Sequence, residues 1–113
     1  MSPKAKAAVA EAKKYLGVPY KWGGTTPKGF DCSGLVQYCY KKAGVSLPRT
    51  TGDLIKCGTS VSQANLKIGD LVFPSKGHVG LYSGNGKFIH APHTGDHVKE
   101  ANVYAFVAGR RVA

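Results

Sequence analysis

Apolar and polar positions change rhythm at LKIGD, residues 66–70. Before that point the apolar residues recur every three or four positions. Ala5, Ala8, Val9, Ala12, Tyr15 and Leu16 form one stripe, which Ser2-Pro3 opens as N-cap and N1 proline and Gly17 closes, so a helix is predicted over 3–16. Leu35, Val36, Cys39, Tyr40 and Ala43 form a second stripe that begins at Cys32 and ends before Gly44, with Asp31 as its N-cap. A glycine-rich loop, VPYKWGGTTPKGF, joins the two, and the threonines of RTTGDLIKCG can cap a short third helix. After residue 70 the pattern becomes short apolar runs between turn residues: DLVFP, HVGLYSG, KFIHA, HVKEA and FVAGRRV. Helices first and strands afterwards, without alternation, predict an α+β fold with the helices packed on one side of an antiparallel sheet.

With 113 residues and 42% hydrophobic content, residues 1–113 are expected to form one domain. No run approaches the length of a membrane span, and Glu11 interrupts AKAAVAEA where a signal peptide needs an apolar core. Sixteen Lys and Arg against six Asp and Glu give a net charge of +10, which attracts polyanions such as nucleic acid or an anionic cell wall. The basic residues are scattered and no nucleic-acid recognition motif accompanies them, so no nucleic-acid partner is expected. Cys32, Cys39 and Cys57 are odd in number and form no CxxC pair; they read as free thiols, with Cys39 and Cys57 in the core.

Cys32 differs from the other two by position. In the first turn of a helix, unpaired N–H groups and the helix dipole favour a thiolate, so the site is expected to lower the thiol pKa. A thiolate nucleophile needs a base and a group behind the base. Four histidines are available, His78, His90, His93 and His97. His78 also reads as a polar strand-edge residue. His90, His93 and His97 have metal-like gaps, but Pro92 and Gly95 make their segment a loop, so no metal and no cofactor is expected.

Taken in order, YKWGG, FDCSGLV, LPRT, GDLVF, HVGLYSGNGKFIHAP and TGDHV resemble the NlpC family of papain-like cell-wall cysteine peptidases over residues 15–112. Two positions depart from that pattern, Leu54 in place of a frequent glutamine and VFPS in place of an aromatic pair. The resemblance implies hydrolysis of peptidoglycan stem peptides, at the D-γ-glutamyl to diaminoacid bond, through a thioester. It also implies Cys32 as nucleophile, His78 as general base and acid, His90 as the group that orients His78, and Tyr20 as an oxyanion donor. Asp31 and Ser33 then flank the substrate groove, Asp31 as a ligand for a free amino terminus or as a cap alone. Trp22 reads as a groove wall or a core aromatic, and Arg49 as a ligand of substrate carboxylates or a structural ion pair. An amidase or transpeptidase on the same scaffold, or a non-catalytic cationic wall-binding module, are the competing readings. A monomer acting outside the cell or in the wall is expected, as an excised domain or a phage-delivered protein.

Strand register decides which histidine stands behind His78. Around Gly84-Asn85-Gly86, a two-residue turn pairs Gly84 with Lys87 and makes His93 the partner of His78. A three-residue loop pairs Ser83 with Lys87, opposes His90 to Gly80 and puts His90 on the face of His78. The empty space at Gly80 favours the second, so a three-residue loop and His90 are expected.

Overall fold

Helix α1 spans Pro3–Lys13 in the computed structural model, which describes residues 2–113. Ser2 caps it by accepting the Ala5 amide, and Ala5, Ala8, Val9 and Ala12 are its buried face. It ends three residues before the predicted boundary. Lys14 and Tyr15 close tighter turns onto Glu11 and Ala12, and Gly17, at φ 92°, leads out to bond Val98. The apolar stripe outlasts the helix because Tyr15 packs on Phe30 and Tyr38, with ring centroids 5.4 and 5.6 Å away, from a turn rather than from a helix face.

The loop that follows contains a small hairpin, β1 (Thr25–Thr26) and β2 (Gly29–Phe30), which the hydrophobic pattern does not reveal. Helix α2 runs Cys32–Lys42 and buries Leu35, Val36, Cys39 and Tyr40 completely, as its stripe predicts. Its first turn touches the loop closely: a Cβ at Gly34 would lie 2.0 Å from the Gly24 carbonyl oxygen. Helix α3, Thr51–Leu54, is capped by Thr50.

Strands β3 (Thr59–Ser60), β4 (Leu71–Ser75), β5 (His78–Gly84), β6 (Lys87–His90), β7 (Lys99–Asn102) and β8 (Ala108–Arg111) form one antiparallel sheet in the order β3-β8-β4-β5-β6-β7. Helices α1 and α2 pack together, and α2 lies on the central strand β5. The fold is therefore α+β, as expected. Phe73, Leu81 and Ile89 from the sheet meet Leu35, Val36 and Tyr40 from α2 in one core. Cys57 is a correction: it lies half-buried outside that core, its Sγ 3.5 Å from the Asp53 carbonyl, because the short α3 ends before the chain turns inward.

The β5–β6 hairpin combines features of both registers. The turn has two residues, Asn85 and Gly86, both at positive φ, and Gly84 pairs with Lys87, so the expected three-residue loop is wrong. Positive φ at both central positions is the geometry that Asn-Gly favours. Between that pair and the next, Tyr82 with Phe88, Ser83 is an extra residue, a β-bulge that shifts the register by one. Beyond it Leu81 pairs with Ile89, which puts Gly80 opposite His90 and keeps His78 and His90 on one face. A Cβ at Gly80 would meet Phe88 at 2.4 Å and the Cβ of His90 at 2.9 Å. Gly80→Ala should thus lower stability by about 1–3 kcal/mol, the usual range for overpacking, in chemical denaturation.

Candidate active site

The site is built where the start of α2 meets the start of β5. Asp31 caps α2: its Oδ1 accepts the Gly34 amide at 2.6 Å. Arg49 grips the same carboxylate with two nitrogens, Nη2 to Oδ2 at 2.7 Å and Nη1 to Oδ1 at 3.1 Å, while Nη1 also donates to Ser33 Oγ at 2.7 Å. The Gly23 amide donates to Oδ2 at 3.2 Å. Arg49 is thereby a structural ion pair, and one carboxylate ties the loop, the helix start and the LPRT segment together. Sequence spacing does not show this partnership, since eighteen residues separate its members.

Cys32 follows the cap. Its half-buried Sγ is 3.9 Å from the Gly77 carbonyl, and the Val79 amide acts on it as well, so the thiol faces the backbone on both sides of His78. His78 Nε2 lies 2.7 Å from His90 Nδ1. His90 is 4% exposed and stacks on Phe88 with ring centroids 4.2 Å apart. His93 and His97 turn to Asp96 instead, at 3.5 and 3.3 Å, so neither is the hydrogen-bond partner of His78. A cleft of about 480 Å³ opens over the thiol, with Tyr20 and Trp22 on one side and Arg49, Thr50 and Thr51 on another. Trp22, 85% exposed, lines this cleft and is not a core aromatic. Thr50, Thr51 and Gly77 were not among the expected site residues. The first two are helix-start threonines by pattern, and a backbone contact from Gly77 leaves no signal in residue type.

Burial dominates the electrostatics. It pushes the Cys32 thiol above its ordinary value, against the pull of the Val79, Ser33 and Cys32 amides, and the Asp31 charge adds to the rise. The expectation of a lowered thiol pKa is therefore corrected: the helix terminus pulls as anticipated, but desolvation outweighs it. Burial also depresses His78, with the charge of His93 as the second cause. It brings His90 down to about 4, helped by His78 and Lys99. Burial thus favours the neutral form of both Cys32 and His78. Tyr20 is raised by burial and then by the Cys32 and Asp31 charges, which places its phenol within electrostatic reach of the thiol.

Residues 17–112 match the model of the NlpC/P60 family, and the chain belongs to that family. A probable endopeptidase p60 of Listeria innocua is 47% identical over 102 residues, covering 87% of this chain and 21% of that protein. A gamma-D-glutamyl-L-lysine dipeptidyl-peptidase of Bacillus subtilis is 46% identical over 92 residues, 75% of this chain and 31% of its own length. Among solved structures, the NlpC/p60 domain of the peptidoglycan hydrolase SagA superposes with a TM-score of 0.89 at 39% identity, over 96% of this chain and 98% of that one. The fold is thus the papain-like one of this family. The chain spans about a fifth to a third of the length of these two curated relatives.

The depressed His90 has a thermodynamic consequence. As pH falls below 6.5 the unfolded chain takes up the proton that the native ring refuses until about 4. Native stability is therefore complete above that window and is lost as pH drops through it, by on the order of 3 kcal/mol. Denaturant titrations between pH 7 and 4 should show this loss, and His90→Asn should flatten it. Arg49→Ala should cost about 1–3 kcal/mol by leaving a half-buried carboxylate without its cation, measured the same way.

Proposed function

We propose that this chain is a cysteine endopeptidase that hydrolyses stem-peptide bonds of peptidoglycan. The observation that carries the reading is the thiol of Cys32 at the start of α2, set against the backbone around a histidine whose other ring nitrogen is held by a second, buried histidine. Binding alone needs no such arrangement. Relatives named as endopeptidases and as a peptidoglycan hydrolase support it.

In this reading Cys32 Sγ attacks the scissile carbonyl carbon while its proton passes to His78. His90 engages Nε2, so Nδ1 is the nitrogen of His78 that exchanges the proton. For that, Nε2 carries hydrogen and donates to His90 Nδ1, which holds the ring in the reactive tautomer. The Cys32 amide and the Tyr20 hydroxyl receive the oxyanion. Collapse breaks the C–N bond; the leaving amine takes the proton from His78 and a thioester remains. Water then attacks the thioester, gives its proton to His78, and the carboxylic acid leaves as the thiol is restored. Trp22 and Ser33 line the groove beside the acyl chain. Asp31, neutralised by Arg49 yet close to the cleft, is the group for a free amino terminus of the substrate.

The D-γ-glutamyl to diaminoacid bond is the proposed cleavage point. It agrees with the name of the Bacillus relative, whereas an Escherichia coli relative, 41% identical, is named a murein DD-endopeptidase. The chain is proposed to work as one catalytic domain and a monomer, at the cell wall or outside the cell. Defined muropeptides, analysed by mass spectrometry, should yield products split after D-glutamate. Products split between D-amino acids would move the assignment to the other bond, transfer of the acyl group to an added amine would indicate a transpeptidase, and intact muropeptides would leave a binding module. Cys32→Ala and His78→Ala should abolish turnover with the fold retained, whereas Cys39→Ala should stay active and lose about 1 kcal/mol or more of stability as a core truncation.

A neutral resting pair also predicts a pH signature. Alkylation of Cys32 by iodoacetamide should climb with pH through a midpoint above that of an ordinary thiol, since burial raises it. A plateau of fast alkylation reached by pH 6 would instead reveal a thiolate beside protonated His78.

A further inference from the structure

The outer face of α2 carries a trough that the catalytic reading does not use. Two cavities of about 640 and 460 Å³ lie along the helix and adjoin at Gln37 and Lys41, which line both. Thr25 and Thr26 of the β1–β2 hairpin wall one side, and the Gly44–Leu47 segment closes the far end. No acidic residue lines either part, while Lys41 and Lys42 stand in it, exposed and without an ion-pair partner among the described residues. Lysines in a last helical turn also complement the helix dipole, but that accounts for their sign and not for the hydroxyl- and amide-lined channel beside them.

We propose that this trough is an anchoring site for a linear polyanion with phosphodiester groups on a polyol backbone. Ammonium groups bind phosphate as point charges, and the Thr25, Thr26 and Gln37 side chains offer hydrogen bonds to polyol hydroxyls. A nucleic acid fits less well. Its unpaired bases need free aromatic faces, and Tyr38, the aromatic ring lining the trough, is already engaged: Lys42 Nζ lies 5.6 Å over it, and Phe30 and Tyr15 pack against it at 5.3 and 5.6 Å. The trough also lies on the helix that carries Cys32. Gln37 is about 7–8 Å and Lys42 about 15 Å along the axis from the thiol, at 1.5 Å per residue. An anchored polymer would hold the catalytic cleft within reach of wall attached to it.

The inference does not depend on the peptidase reading, because binding is measurable without turnover. Poly(glycerol phosphate) is titrated into the Cys32→Ala protein at two salt concentrations, beside a Lys41→Gln/Lys42→Gln variant and a Lys4→Gln/Lys6→Gln variant of equal charge change on exposed positions of α1. Loss of the trough lysines should weaken binding about tenfold and flatten its salt dependence, by the release of fewer counterions, while the α1 variant stays within about threefold. Both lysine pairs should leave cleavage of small, uncharged-backbone muropeptides unchanged in the Cys32 protein. Equal losses in the two variants would reduce the effect to net charge and overturn the site. An oligonucleotide of equal charge that binds the same lysines as tightly or more tightly would overturn the polyol assignment.

Discussion

The carboxylate of Asp31 is the constraint on which the site depends. Five donors converge on it: the Gly34 amide and Ser33 hydroxyl of the helix, the Gly23 amide of the loop and two nitrogens of Arg49. Side-chain capping of the helix needs only the first of these. The others make the cap a junction, so that the direction of α2, the course of the glycine-rich loop and the position of LPRT are set by one group. Cys32, next in sequence, inherits that precision. Its thiol meets β5 because the helix axis is pinned at this end while Leu35, Val36 and Tyr40 pin its flank to the sheet.

The same burial that makes the helix stable sets the chemistry. Helix-terminal amides draw the thiol toward ionisation, and loss of water drives it the other way with greater effect. The neighbouring imidazoles are driven toward neutrality too. Both shifts favour a neutral thiol and a neutral imidazole over a standing ion pair. His90 suits this arrangement. Stacked on Phe88 and nearly sealed from water, its ring is held toward neutrality with Nδ1 2.7 Å from His78 Nε2.

Most of the architecture was legible in the chain. Apolar stripes of helical spacing marked α1 and α2, short apolar runs marked five of the sheet strands, and the position of Cys32 after a capping aspartate marked the candidate nucleophile at the start of the helix. These signals are local, set by periods of 3.6 and 2 and by capping chemistry. Elements without an apolar period escaped: the two-residue strands β1 and β2 exist by pairing with each other, and β3 by pairing with β8.

What the tertiary structure alone decided has the same root. Asn85-Gly86 determined the turn, yet the partner of His78 followed from the bulge at Ser83, whose placement balances the turn against the packing of Leu81 and Ile89 in the core. Neither demand can be weighed from the strand sequence by itself. The Asp31–Arg49 grip spans eighteen residues, and the pKa of Cys32 depends on how much water the fold removes from it. Residue types and their spacing determined which groups could react; the direction of each proton affinity came from burial, a property that exists only once distant segments have packed together.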